Sequence, residues 1–168
     1  MNAEEFKNII YPMKDKLFRF AKSIIKQPEE ARDITQDILV KLWNTRHSLQ
    51  QCRNIEAFAM KSIKNLCLDK LKHEQVRRNN LETYKKEQPV TFEQENMEKE
   101  ENRKMVRKAI EKLPVQQKMI IHLRDIEEMS YEEIQAILQM DIQTIRMNVS
   151  RGRKKVREEI LKQMSYEV

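Results

Sequence analysis

A chain of 168 residues has room for one or two small domains, and with 36% charged residues, 39% hydrophobic ones, one Gly and four Pro it favours long helices over sheets with tight turns. The formal net charge of +6 and isoelectric point near 9.3 point to an anionic partner; no segment approaches the roughly 18 consecutive apolar residues of a spanning helix, so nucleic acid is favoured over membrane insertion. Cys52 and Cys67 make no disulfide framework, and the N-terminus has neither the basic start nor the apolar run of a secretory signal, so a reducing cytoplasm is the expected compartment.

Phe6, Ile9, Ile10, Leu17, Phe20, Ala21, Ile24 and Ile25 recur at helical intervals, and Pro12 divides the run into two helices that stop before Pro28. Pro28, Glu29 and Glu30 open a third helix, because proline fits a first turn and acids favour its positive end. Its inner stripe is Ala31, Ile34, Ile38 and Leu42, widened by Leu39 and Trp43, while Asp33, Gln36 and Asp37 share the other face. Asn44 to Asn54 has no sustained period and reads as a loop.

Ile55, Ala59, Ile63, Leu66 and Leu71 resume a helix whose outer side holds Lys61, Lys64, Asn65, Lys70 and Lys72, a basic face. Cys67 lies on its apolar stripe, and the spacing of His47, Cys52, Cys67 and His73 matches no compact zinc finger, so no metal is expected. Large aromatics are usually buried, which places Trp43 and Phe58 in the core. Leu81 through Arg103 is poor in apolar residues, contains Pro89 and is rich in glutamate; such a stretch buries too little to offset its ordering entropy and reads as a flexible acidic linker.

From Met105 a second helical set begins, with Ala109, Ile110 and Leu113, a turn at Pro114, and Met119, Ile120, Leu123 and Ile126 on the next helix. His122 has no Ser, Cys or acidic partner at a catalytic spacing, and a surface role is expected for it. Ser130 followed by Glu133 is a capping box that starts a helix near Tyr131, with Ile134, Ile137 and Leu138 on one face. Asp141 can cap a further helix whose inward stripe is Ile145, Val149, Gly152, Val156 and Ile160.

Between those inward residues lie Arg146, Arg151, Arg153, Lys154, Lys155 and Arg157, with no acidic residue among them. A short helix, a tight turn and a basic second helix are the parts that place side chains in a DNA major groove. A merely solvated basic face is the alternative; Gln143, Thr144, Arg146, Met147, Asn148 and Ser150 at the helix start argue against it, since they could reach base edges and phosphates.

Three segments carry a family likeness. The run from Pro28 through Asp33, Ile34, Thr35, Gln36 and Asp37 to Trp43 resembles the core-binding helix of bacterial RNA polymerase sigma factors of the small extracytoplasmic-function class. Asn54 to Phe58 and Lys64 to Lys72 resemble that class's promoter-opening helix, and Leu113 to Arg157 its C-terminal helix-turn-helix. The resemblance implies an all-α protein of two small domains: 1–76 for core polymerase binding and minus-ten recognition and melting, 77–103 a flexible linker, and 104–168 a helix-turn-helix for minus-thirty-five recognition.

By the same resemblance Asp33, Gln36 and Asp37 meet core RNA polymerase, and the loop from Asn44 to Asn54 pockets a base of the melted strand. Lys61, Lys64, Asn65 and Lys72 line that strand's path, although Asn65 could equally bridge within the domain. Gln143, Thr144, Arg146, Met147, Ser150, Arg151, Arg153 and Lys154 contact promoter duplex. The family often has an anti-sigma factor, and the resemblance allows one here.

Three departures stand out: Gln139 where the motif's turn usually has glycine, Gly152 where alanine is common, and Met147 where a small polar residue is common. A close approach of the preceding helix would explain Gly152. No cofactor is expected and no catalytic constellation is present, since one glycine excludes the usual phosphate-cradling loops. A stand-alone repressor would need a dimerisation element, and no sustained heptad seam is visible. An interaction protein using its basic faces on acidic partners would show no DNA affinity.

Overall fold

The computed structural model describes residues 1–80 and 97–166, and every regular element among them is helical. The N-terminal set is α1 (Ala3–Ile9), a 3-10 turn at Tyr11–Met13, α2 (Lys14–Ile24), α3 (Pro28–Asn44), α4 (Arg46–Leu49) and α5 (Ile55–Asn80). The C-terminal set is α6 (Met97–Glu111), α7 (Val115–Ile121), a turn of π-helix at His122–Ile126, α8 (Tyr131–Leu138) and α9 (Ile142–Tyr166). Of the expected linker 77–103, both ends are helical, to Asn80 on one side and from Met97 on the other; the middle lies outside the described residues.

Local chemistry accounts for the boundaries. Pro12 sits in the 3-10 turn between α1 and α2, and Pro28 occupies the first turn of α3. The Ser130 hydroxyl accepts the Glu133 N–H at 3.1 Å while Glu133 takes the Ser130 N–H at 2.7 Å, so α8 begins at Tyr131. Gln139 ends α8 in the left-handed region at φ 55° and ψ 44°, a conformation that costs a residue with a Cβ about 1–2 kcal/mol. Asp141 accepts the Thr144 N–H at 2.9 Å as α9 starts.

In the N-terminal set α2, α3 and α5 pack on one another through Leu17, Phe20, Ile38, Leu42, Met60 and Ile63, all fully buried. Each such side chain contributes about 1.5–3 kcal/mol of transfer free energy. Ile120, Leu123, Ile134, Ile137 and Ile145 do the same among α7, the π turn, α8 and α9. Cys67 is part of the first core, and burial pushes its thiol up to about 12. Several expectations change. Ile9 and Ile126 are exposed, not packed. Trp43 and Phe58 are surface residues as well: the third helix fills its stripe with Ile34, Ile38 and Leu42, leaving Trp43 to rest edge-on against Phe6 at 5.1 Å. Asn44 to Asn54 is not irregular throughout, because Leu49 is buried and pulls Arg46–Leu49 into a helical turn.

The two sets meet directly, α2 against α7 and the π turn, α5 against α8. His122, expected at the surface, is buried there and stacks on Phe20 with ring centroids 5.8 Å apart. The π turn explains it. Residues five apart on an α-helix diverge by about 140°, whereas the wider turn bonds the Glu127 N–H to the His122 carbonyl and brings the two side chains to 3.2 Å. Arg19 of α2 completes the seam, forking onto both Glu127 oxygens at 2.8 and 3.0 Å.

The Glu127 side chain is only 3% exposed. Burial by itself raises its carboxyl, but hydrogen bonds to His122 and Arg19 and their charges outweigh that and hold it at about 2, against an ordinary 4.5. With Asp15 also near Arg19, the Glu127 carboxylate still gives its full stabilisation above about pH 4.5 and loses it as pH falls from there towards 2. Glu127→Gln should therefore flatten the dependence of the thermal midpoint on pH across that window; parallel acid limbs in wild type and variant would contradict the role of the carboxylate.

Candidate functional site

On α9 the helical step of about 100° per residue puts Gln143, Arg146, Met147, Ser150 and Lys154 within an arc of about 100°. All five are exposed, and Ile145, Val149 and Gly152 are buried on the opposite side. Arg151 and Thr144 flank the arc on one side and Arg153 on the other. Two of these flanking groups already have partners: the Thr144 hydroxyl donates to Asp141 at 2.6 Å, and Arg153 forks onto Asp125 at 2.6 and 3.0 Å. Arg146 is oriented from below, its guanidinium 5.0 Å from the Tyr131 ring centre, and Arg124 lies 4.4 Å from the same ring. The arc is thus a polar row with one apolar member, Met147, at its edge.

On α5 the sequence-predicted residues do not stay together. Lys61, Asn65 and Lys72 keep solvent access, but Lys64 is only 9% exposed. Its direction on the helix lies about 40° from Met60 and about 60° from Cys67, close enough to the buried stripe for a neighbouring element to cover it. That element is α8, whose Ile137 carbonyl accepts a hydrogen bond from Lys64 Nζ at 3.3 Å. Burial and the nearby Lys61 charge lower the Lys64 pKa. Phe58 takes the place that Lys64 vacates: 40% exposed, it shares the open face with Lys61, Asn65 and Lys72. An apolar residue out of phase with the stripe of Ala59 and Ile63 is the signal that could have found it.

On α3, Asp33, Gln36 and Asp37 are all exposed within an arc of about 100°. Val40 lies in the same arc and is 59% exposed, an apolar residue among acids that the buried stripe does not need. Downstream, Arg46 stacks on Trp43 at 4.2 Å and donates to its carbonyl, and Asn54 caps α5 by accepting the Ala57 N–H at 2.9 Å. The segment between them offers Thr45, His47, Ser48, Gln50, Gln51 and Arg53 to solvent on a hydrogen-bonded frame.

Residues 11–77 match the family described as Sigma-70 region 2, and residues 103–156 match Sigma-70, region 4. The chain is similar to the RNA polymerase sigma-E factor of Streptomyces coelicolor, 25% identical over 158 residues that cover 94% of this chain and 86% of that one. It is also similar to the ECF RNA polymerase sigma factor SigE of Mycolicibacterium smegmatis, 27% identical over 157 residues, 90% of this chain and 60% of that one. Its fold matches that of the sigma factor RpoE from Bartonella quintana, solved in complex with the anti-sigma factor NepR, with a TM-score of 0.77 at 24% identity, covering 95% of this chain and 98% of that one.

Gly152 sets how closely α9 approaches the rest of its bundle. A Cβ there would meet Cγ1 of Ile121 at 2.8 Å and its Cδ1 at 3.0 Å, so the close neighbour is α7 and not the adjacent α8. Alanine would gain about 0.8–1.0 kcal/mol of helix propensity, against an overpacking cost of about 1–3 kcal/mol. Gly152→Ala should lower stability by about 1 kcal/mol net in chemical denaturation; a gain would show that Ile121 swings aside freely.

Proposed function

The chain belongs to the sigma-70 family, in its extracytoplasmic-function class, and is an alternative sigma factor directing transcription initiation; from that premise we propose which surfaces do the work. Residues 1–76 form the unit that holds core RNA polymerase and the minus-ten element, 77–103 the linker, and 104–168 the unit that reads the minus-thirty-five element. The observation that carries this reading is the opposition of two exposed arcs: acidic on α3, basic and free of acids on α9.

An arc bearing Asp33 and Asp37 repels phosphate and suits protein, and Val40 in that arc supplies the apolar contact that protein docking sites need. The α9 arc has the opposite character. Gln143, Arg146, Met147 and Ser150 face base edges, while Arg151, Lys154 and, once released from Asp125, Arg153 hold phosphates. Thr144 serves first to start the helix through Asp141. On α5, Lys61, Asn65 and Lys72 track the backbone of the opened strand and Phe58 gives a base a ring to stack on. Lys64 joins them only when α8 moves away.

Among the described residues no helix is long and apolar enough to cross a membrane, and we place the protein in the cytoplasm, where its polymerase works. The chemistry is the polymerase's; this chain supplies recognition and positioning, with no catalytic group or cofactor of its own. RpoE of Bartonella quintana is held by an anti-sigma factor, and a partner of that kind fits here as well.

Replacing Asp33 and Asp37 with lysine should abolish co-purification with core polymerase and leave helicity by circular dichroism unchanged; normal holoenzyme assembly would overturn the α3 assignment. Arg146→Ala should cost on the order of 1–3 kcal/mol on a cognate promoter and relax preference at one base position. Lys154→Ala should instead weaken all duplexes alike and reduce the salt slope by about 1. Equal losses for Arg146→Ala on specific and random DNA would move Arg146 to the phosphate group.

A further inference from the structure

We propose that Met147 reads a thymine: in the upstream duplex its side chain packs on the 5-methyl group of one thymine base, and that contact fixes the position as an A·T pair. The inference rests on the reading of α9 as the duplex-facing helix and adds to it the chemistry of one base pair. Met147 is 50% exposed, and the core takes nothing from it, because Ile145, Val149 and Gly152 fill the packed side of α9. A lone exposed apolar side chain is ordinary on a protein surface. This one stands in an arc whose other members, Gln143, Arg146, Ser150 and Lys154, are all polar.

The major groove decides what such a side chain can meet. Guanine presents only acceptors there, adenine an acceptor and an amino donor, and cytosine an amino donor; thymine alone adds a carbon group, its 5-methyl. A thioether pressed on a polar edge takes a donor or acceptor out of water and leaves it unpaired, whereas against the methyl it covers apolar surface with apolar surface. The preference therefore has two sources, a gain with thymine and a loss with the other bases. Neighbouring side chains bound the contact along the helix. Gln143 lies about one turn before Met147 and Arg151 about one turn after it, both exposed, the first suited to adenine and the second to phosphate. Arg146 stands at the opposite edge of the arc, its guanidinium 5.0 Å from the Tyr131 ring centre. The unbranched, flexible chain of Met147 can adapt to a methyl on either strand, so thymines of both strands are candidates. A cytosine carrying a 5-methyl offers the same carbon group.

Replacing thymine by uracil removes that methyl and nothing else, so the contact can be deleted from the DNA side by one carbon. Promoter fragments are recovered by reconstituted holoenzyme from a library randomised in the upstream element, and each thymine of that element, on both strands, is then replaced in turn by deoxyuridine. At one position the replacement should weaken binding by wild-type holoenzyme about fourfold, the affinity equivalent of one buried carbon group, while Met147→Ser holoenzyme should bind the two fragments alike. At that position 5-methylcytosine paired with guanine should bind more tightly than unmodified cytosine paired with guanine, again only with Met147 in place. No sensitive thymine, or the same loss in Met147→Ser, would overturn the inference. Arg146→Ala on the same fragments separates that failure from a failure of the reading beneath it. A preference relaxed at one base position by Arg146→Ala leaves α9 on the duplex and removes only the thymine contact; preferences unchanged in both variants remove base reading from α9 altogether.

Discussion

A carboxylate shut away from water between an arginine and a histidine decides how the two halves of this protein meet. Glu127 is stable as an anion in that place only because Arg19 forks onto it and His122 lies against it. Leaving a buried charge without its partner costs far more than the intact pair contributes, so the seam is specific before it is strong. His122 earns its burial in turn by stacking on Phe20, which ties the charged cluster to the core of α2. The seam's other end is less well compensated, because Lys64 finds only a carbonyl. One end of the contact is thus a paired charge cluster and the other a single hydrogen bond.

The exposed arcs follow from a simpler constraint. A helix in a small bundle buries one stripe, and whatever the stripe does not use is offered to partners. On α3 the stripe of Ala31, Ile34, Ile38 and Leu42 leaves an acidic arc; on α9 the stripe of Ile145, Val149 and Gly152 leaves a cationic one. Gly152 lets α9 sit against Ile121, and so places the outward arc relative to α7 and the Tyr131 ring that supports Arg146. On each helix the packed stripe and the exposed arc are opposite faces of one element.

Local signals in the sequence were sufficient wherever the interaction is local. The Ser130–Glu133 box, the Asp141 cap, the proline-led start of α3 and the period of α9 each involve residues a few positions apart, and each stands in the structure as read. The residues misplaced by sequence reasoning are those whose surroundings come from afar or from unusual turns. Lys64 falls on the outer side of α5 by period, yet α8, some seventy residues on, covers it. The acid at an α-helical spacing from His122 is Asp125, which pairs with Arg153, and only a π turn brings Glu127 round to His122. Size alone favours the core for Trp43 and Phe58, but the aliphatic stripes fill it without them. Leu49 is a single apolar residue in a polar stretch, too short a signal to announce the turn of α4.

The exposed apolar residues Val40, Phe58 and Met147 lie one on each of the three proposed surfaces, so a photo-crosslinking amino acid placed at each in reconstituted holoenzyme on an opened promoter tests the division of labour most directly. The account predicts that position 40 crosslinks to polymerase alone, position 58 to unpaired DNA at the minus-ten element, and position 147 to upstream duplex. Crosslinks from position 58 to duplex, or to no DNA at all in complexes shown to be open, would contradict it.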